Sequence, residues 1–201
     1  MSDAAGHYFD PTPGTASQPR RVRLTLPDLT VELTTDRGVF SGDRVDAGTK
    51  YLLLDAPPPP ASGTFVDLGC GYGPIACTLA SRSPGATVWA VDVNERARAL
   101  CRANADALGL GNVVVAAPDE VPEDLAVDLL WSNPPIRIGK AALHDLLRTW
   151  LERLARTGAA VLVVQKHLGA DSLQRWLHDE GWRTDRLGSR AGYRLLEVAR
   201  P

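Results

Sequence analysis

Between residues 22 and 35 apolar and polar residues alternate as V-R-L-T-L, then Pro27-Asp28, then L-T-V-E-L-T-T. Alternation on both sides of a proline-containing turn predicts a β-hairpin. Val22, Leu24 and Leu26 share one face of it, and Leu29, Val31 and Leu33 share another. A loop follows, then a helix is predicted over 50–56, stopped by the consecutive prolines 57–60. Those prolines set a stiff, extended connection.

From Thr64 onward short apolar runs alternate with helically spaced segments. Strands are predicted at 65–68, 87–91, 112–116, 127–131 and 159–164. One helix is expected from Pro74 to Arg82, with its proline in the first turn, where proline is tolerated. A second runs from an Asn94 cap to Leu108, with Gly109 past its end. A third carries Leu143, Leu146, Leu147, Trp150, Leu151 and Leu154 at helical spacing and closes near Gly158. Asp171 is expected to cap a last helix ending at Gly181. Strands at 182–187 and 193–198, joined by a turn over 188–192, close the chain as a hairpin. The fold expected is α/β: a Rossmann-like, doubly wound, mostly parallel seven-stranded sheet with a C-terminal antiparallel hairpin strand and a small N-terminal β-hairpin extension.

Composition narrows the class. The chain has 201 residues, 44% hydrophobic and 23% charged, enough to bury one core. A flexible arm is expected over 1–20 and a single domain over 21–201, with hairpin and connector at 21–60 and the core at 61–201. His7, Tyr8 and Phe9 are the bulky cluster of the arm, and two readings stand for them: they pin the arm to the body, or they line a pocket. No apolar run approaches the roughly 18 residues of a membrane span, and the N-terminus lacks a basic region followed by an apolar core. A cytoplasmic protein without membrane association is expected. Cys70, Cys77 and Cys101 show no C-x-x-C pair and read as core residues, so no metal site is expected. A net charge of -2 argues against gripping long nucleic acid by charge alone but leaves room for local basic patches.

Two stretches carry candidate chemistry. The first is T-F-V-D-L-G-C-G-Y-G-P, from Thr64 to Pro74, a strand feeding a glycine turn. Gly69, Gly71 and Gly73 follow a G-x-G-x-G spacing, whereas a dinucleotide fingerprint would need glycine at position 74, which is Pro74, and this weakens a pyrophosphate reading. Asp67 adds negative charge suited to a ligand ammonium. Asp92, about twenty residues on at the end of the second core strand, can accept both hydroxyls of a ribose. Together these describe a nucleoside with an amino-acid tail, S-adenosylmethionine. The second stretch, Ser132-Asn133-Pro134-Pro135, closes the fourth core strand. A planar exocyclic amine is a poor nucleophile because its lone pair is delocalised. The Asn133 side-chain oxygen and the Pro134 carbonyl can take its two hydrogens and aim that lone pair, while the prolines stiffen the loop.

D-L-G-C-G-Y-G with Asp92 resembles the class I methyltransferase superfamily. Adding Gly38-Val39-Phe40-Ser41, Val45-Asp46-x-Gly48-Thr49 and S-N-P-P-I-R-x-G-K ending at Lys140, residues 7–200 resemble the small-domain methyltransferases that include the small-subunit ribosomal RNA guanine-N2 enzymes. The resemblance implies that Asn133, Pro134 and Pro135 are catalytic and hold a guanine taken out of its stack. It implies that Asp67, Gly69, Gly71, Gly73, Asp92 and Asn133 hold S-adenosylmethionine, and that Phe40, Ile136, Arg137 and Lys140 meet substrate. Phe40, Asp46 and Thr49 lie beside the cofactor or brace the sheet. Asp119, one step late after the third core strand, meets adenine or is a loop acid. Ile136 stands where many members carry an aromatic residue, and the additional N-terminal domain usual in bacterial ribosomal members is not in this sequence. The expected partner is RNA, small-subunit rRNA free or in an assembled particle, acted on by a monomer or homodimer. Methylation of a protein glutamine amide and a non-catalytic RNA- or ribosome-binding role for the same fold are the alternatives.

Overall fold

The computed structural model describes residues 16–39 and 44–201. The apolar run before the glycines forms β3 (Ser62–Leu68), in which Phe65 to Leu68 are all buried. Burial on both faces is what a central parallel strand requires. It is flanked by β4 (Gly85–Val91) and β6 (Val127–Ser132), both parallel to it. The remaining strands are β1 (Arg20–Thr25), β2 (Thr30–Thr35), β5 (Val113–Ala116), β7 (Leu154–Gln165), β8 (Arg183–Arg190) and β9 (Tyr193–Ala199). The main sheet has the order β5-β4-β3-β6-β7-β9-β8, with β9 antiparallel to both of its neighbours. This is the Rossmann-like, doubly wound architecture expected, with β1 and β2 as a separate two-stranded sheet.

Helices cover both faces. On one lie α1 (Ala47–Asp55), α2 (Pro74–Arg82) and α3 (Glu95–Ala107), which share a core with Phe65, Leu129 and Trp131. On the other lie α4 (Lys140–Leu151) and α5 (Ala170–Asp179), packed with Val66, Leu130 and Leu162. Neighbouring residues of each strand thus feed opposite layers, the two-residue period of a strand made visible.

Several boundaries differ from the sequence expectation. Val22 pairs with Leu33 and Leu24 with Val31, so the two apolar sets of the hairpin form one buried face rather than two. That face packs on the α2–α3 layer, and Asn104 of α3 fastens it by exchanging hydrogen bonds with the Thr34 backbone. The first helix starts three residues early, at Ala47, because Asp46 caps it. Asp171 lies in the first turn of α5, and Gly169 holds the cap position. The final turn is only Ala191-Gly192, and Gly188 lies inside β8 at an irregularity. His7, Tyr8, Phe9 and Phe40 lie outside the described residues. Ser17 and Gln18, which precede β1 without regular structure, both donate to the buried Asp36 carboxylate.

Helix α4 ends at Leu151, and Leu154 already belongs to β7. From Val127 to Leu129 β6 advances two residues, while β7 advances five, from Leu154 to Ala159. The bulge brings Gly158 against β6, where an added Cβ would lie 2.4 Å from the Val127 carbonyl oxygen. Backbone on both sides leaves little room to yield. Gly158→Ala should therefore cost about 1–3 kcal/mol and lower the thermal midpoint by about 2–12 °C. Calorimetry reads this directly, and an unchanged midpoint would show that the bulge is soft.

Candidate functional site

The glycine-turn end of the site is built where β3 and β4 terminate. Gly69 and Cys70 both donate to the Val91 carbonyl, at 2.8 and 3.0 Å, drawing the glycine turn across the end of β4. Gly71 N–H then meets Asp92 Oδ2 at 2.9 Å, and Asn94 N–H meets Asp92 Oδ1 at 2.9 Å. Each carboxylate oxygen retains a further acceptor site. Burial raises the Asp92 pKa, and these two N–H groups oppose the rise. Asn94 caps α3 through the Ala97 N–H. Gly73 caps α2 at φ 92°, a left-handed backbone, and an added Cβ would lie 2.7 Å from Cys101 Sγ. Glycine is required there on both counts.

The N-P-P end is one strand over. Ser132 Oγ donates to the Leu68 carbonyl at 2.7 Å, tying β6 to β3. Beyond it Asn133 Nδ2 donates to Asp46 Oδ1 at 2.8 Å and to Thr49 Oγ1 at 3.1 Å. A carboxylate only accepts, so the amide nitrogen must face Asp46, and Asn133 Oδ1 meets no donor among the described residues. The Pro134 carbonyl accepts from Ile136 N–H at 2.8 Å, which leaves it one further lone pair.

Between the two ends lies a cavity of about 640 Å³. Gly69, Gly71 and Asp92 line one side, and Asn133, Pro134 and Pro135 another. Ile136 and Arg137 continue the second wall. Asp46 and Thr49, together with Gly38 and Val39 of the loop that leads to Phe40, close the front. Lys140 stands outside this cavity, exposed, beside a smaller pocket shared with Ile136.

Two of the candidate residues lie away from the cavity wall. Asp67 lies beneath the wall, fully buried, with Oδ2 accepting from Ala76 N–H at 2.9 Å and Oδ1 unpartnered. Burial pushes its pKa to about 8, the Ala76 N–H opposes this and Asp92 adds to it. Asp67 therefore does not line the cavity. Asp119 is exposed on a short 3-10 turn, Pro118–Glu120, and does not line the cavity. Conversely, Gln165, Leu168 and Tyr193 line it although none of them belongs to the glycine or N-P-P motif. Gln165 and Tyr193 are register partners across β7 and β9, a relation that no local motif announces.

Comparison with known proteins places this geometry. The family model described as methyltransferase small domain matches residues 30–197. The Bacillus subtilis protein YbxB is 32% identical over 195 residues, covering 96% of this chain and 97% of its own length. Ribosomal RNA small subunit methyltransferase C of Pseudomonas entomophila is 36% identical over 156 residues, 74% of this chain but 46% of that protein. Among solved structures, the T. thermophilus 16S rRNA N2 methyltransferase RsmC, in complex with AdoMet and guanosine, aligns with a TM-score of 0.77 at 22% identity. That alignment covers 92% of this chain and 52% of the other. The chain thus spans about half the length of these two methyltransferases.

The Asp67 carboxyl generates a pH prediction. Folded, it holds its proton up to about pH 8, whereas the ordinary carboxyl value is 3.8. Between these values the folded chain binds a proton that the unfolded chain has released, so this group's contribution to stability falls as pH rises from about 4 to about 8. Asp67→Asn keeps an oxygen for Ala76 N–H and removes the titration. Urea midpoints measured across that window should show the variant gaining on the wild type as pH rises. A difference independent of pH would mean that Asp67 is ionised in the fold.

Proposed function

The chain belongs to the methyltransferase small domain family, and from that premise we propose that it methylates the exocyclic amine of a guanine in RNA, small-subunit rRNA being the substrate class. The observation that carries this reading is the Asn133 amide, held with its nitrogen toward Asp46 and its oxygen beside the cavity without a donor among the described residues. The site fits S-adenosylmethionine: the cavity is ample, and both Asp92 oxygens keep an acceptor site for ribose hydroxyls beside the glycine turn. When bound, S-adenosylmethionine supplies an electrophilic methyl group on sulfur.

Asn133 Oδ1 and the Pro134 carbonyl accept the two amine hydrogens, so the nitrogen lone pair turns out of the ring plane. Pro135 keeps the loop stiff, which means that no reorganisation is needed at the moment of attack. Ile136 and the exposed Leu168 offer apolar surface to the face of a base. Arg137, exposed at the mouth, and Lys140, just outside, stand where phosphates flanking an extruded nucleotide would pass. Neither has a carboxylate partner among the described residues, whereas Arg82, Arg148 and Arg190 are each paired with one. The chemistry at Asn133 serves any planar amide or arylamine, so the choice of guanine in RNA draws on the relatives that act on ribosomal RNA.

Radiolabelled methyl transfer into deproteinised rRNA, free small subunits and peptides tests the reading. Label in guanine of RNA is expected, and label in protein alone would replace RNA with a glutamine-amide substrate. Asn133→Ala should lower transfer by at least about 100-fold at saturating S-adenosylmethionine; surviving turnover would remove Asn133 from the mechanism and favour a different site. Arg137→Ala and Lys140→Ala should each weaken RNA binding and reduce the slope of log affinity against log salt by about one. An unaltered slope would take phosphate contact away from that residue.

A further inference from the structure

Asp46 holds a position that neither the methyl-transfer reading nor the family assignment explains. Its Oδ1 accepts three hydrogen bonds: from Gly48 N–H at 2.8 Å, from Thr49 N–H at 3.1 Å and from Asn133 Nδ2 at 2.8 Å. The first two cap α1, where the helix dipole favours a carboxylate. The third reaches across 87 residues of sequence to the catalytic loop. A helix cap needs only the first two. The negative charge also acts on the cavity wall, since the phenols of Tyr72 and Tyr193 are pushed up first by burial and then by Asp46.

We propose that Asp46 is a positioning residue for methyl transfer, setting the orientation of the Asn133 amide and polarising it. A flipped amide would bring Asn133 Oδ1 against a carboxylate, so only one orientation is favourable. Charge-assisted donation from Nδ2 draws electron density toward Oδ1, strengthening the acceptor that faces the substrate amine. In the transfer, the amine lone pair forms the new nitrogen–carbon bond while the carbon–sulfur pair leaves on sulfur. Positive charge therefore arrives on the nitrogen, and its excess proton passes to water. A fixed carboxylate one hydrogen bond behind Asn133 favours that arrival. Thr49 Oγ1 accepts the second Nδ2 hydrogen, which completes the lock.

This inference rests on the methyl-transfer reading, and its test separates the two. Asp46→Asn keeps an oxygen for all three donors and is as good a helix cap, but it carries no charge. The variant should retain the wild-type thermal midpoint and S-adenosylmethionine affinity. Its KM for whichever acceptor the wild type labels, RNA or protein, should stay within about twofold, while kcat falls about 10- to 100-fold, the range typical of partners that orient a reacting group. A kcat within about twofold of wild type would overturn the charge role. The second measurement needs no substrate. The Asn133 side-chain NH₂ pair, assigned in ¹⁵N spectra by its loss in Asn133→Ala, should shift and exchange faster in Asp46→Ala. An unmoved pair would overturn the positioning role, even if the wild type methylated no RNA and the substrate reading failed.

Discussion

The site depends on one buried contact, the 2.7 Å hydrogen bond from Ser132 Oγ to the Leu68 carbonyl. Leu68 ends β3 and Ser132 ends β6, and both are buried. Joining these two ends puts the glycine turn and the N-P-P loop side by side at the carboxyl edge of the sheet. β3 is also where the strand order reverses, with β4 and β5 to one side and β6 onward to the other. The crevice of a doubly wound sheet opens at such a switch point, and the cavity occupies it.

Three aspartates around that crevice show how little residue type alone decides. Asp92 spends one bond per oxygen on the Gly71 and Asn94 backbones and stays on the wall. Asp67, two residues before the glycines, receives a single N–H and is so buried that its proton stays on to about pH 8. It braces the start of α2 from below. Asp46, in a loop before α1, collects three donors on one oxygen and couples that helix to Asn133. Burial and the number of donors separate these roles, and neither quantity is written in a motif.

The N-terminal hairpin contributes through Asn104. This buried side chain exchanges bonds with Thr34 on β2 and donates to the Tyr72 carbonyl in the glycine turn. The hairpin, the third helix and the glycine turn are therefore one connected polar network inside an apolar layer. Such a network specifies a single docking position, because an unmade bond there would leave a buried polar group unsatisfied. Seated this way, the hairpin delivers Gly38 and Val39 to the front of the cavity.

What the sequence by itself determined were the elements and the local chemistry. Strand and helix periods, Pro74 at a first turn, Asn94 at a cap and the glycine spacing are short-range constraints of sterics and backbone hydrogen bonding, legible in any window that contains them. The positions of Asp92, Asn133, Pro134 and Pro135 at strand ends beside the cavity were legible for the same reason, since each follows a predicted strand. Tertiary structure alone decided the single face of the hairpin, the Gly158 bulge against Val127, the arrival of Tyr193 beside Gln165, and the fates of Asp67 and Asp119. It also decided which way the Asn133 amide points, because the group that orients it lies 87 residues upstream. Register, burial and long-range partners arise from packing many elements at once, and no local pattern encodes them.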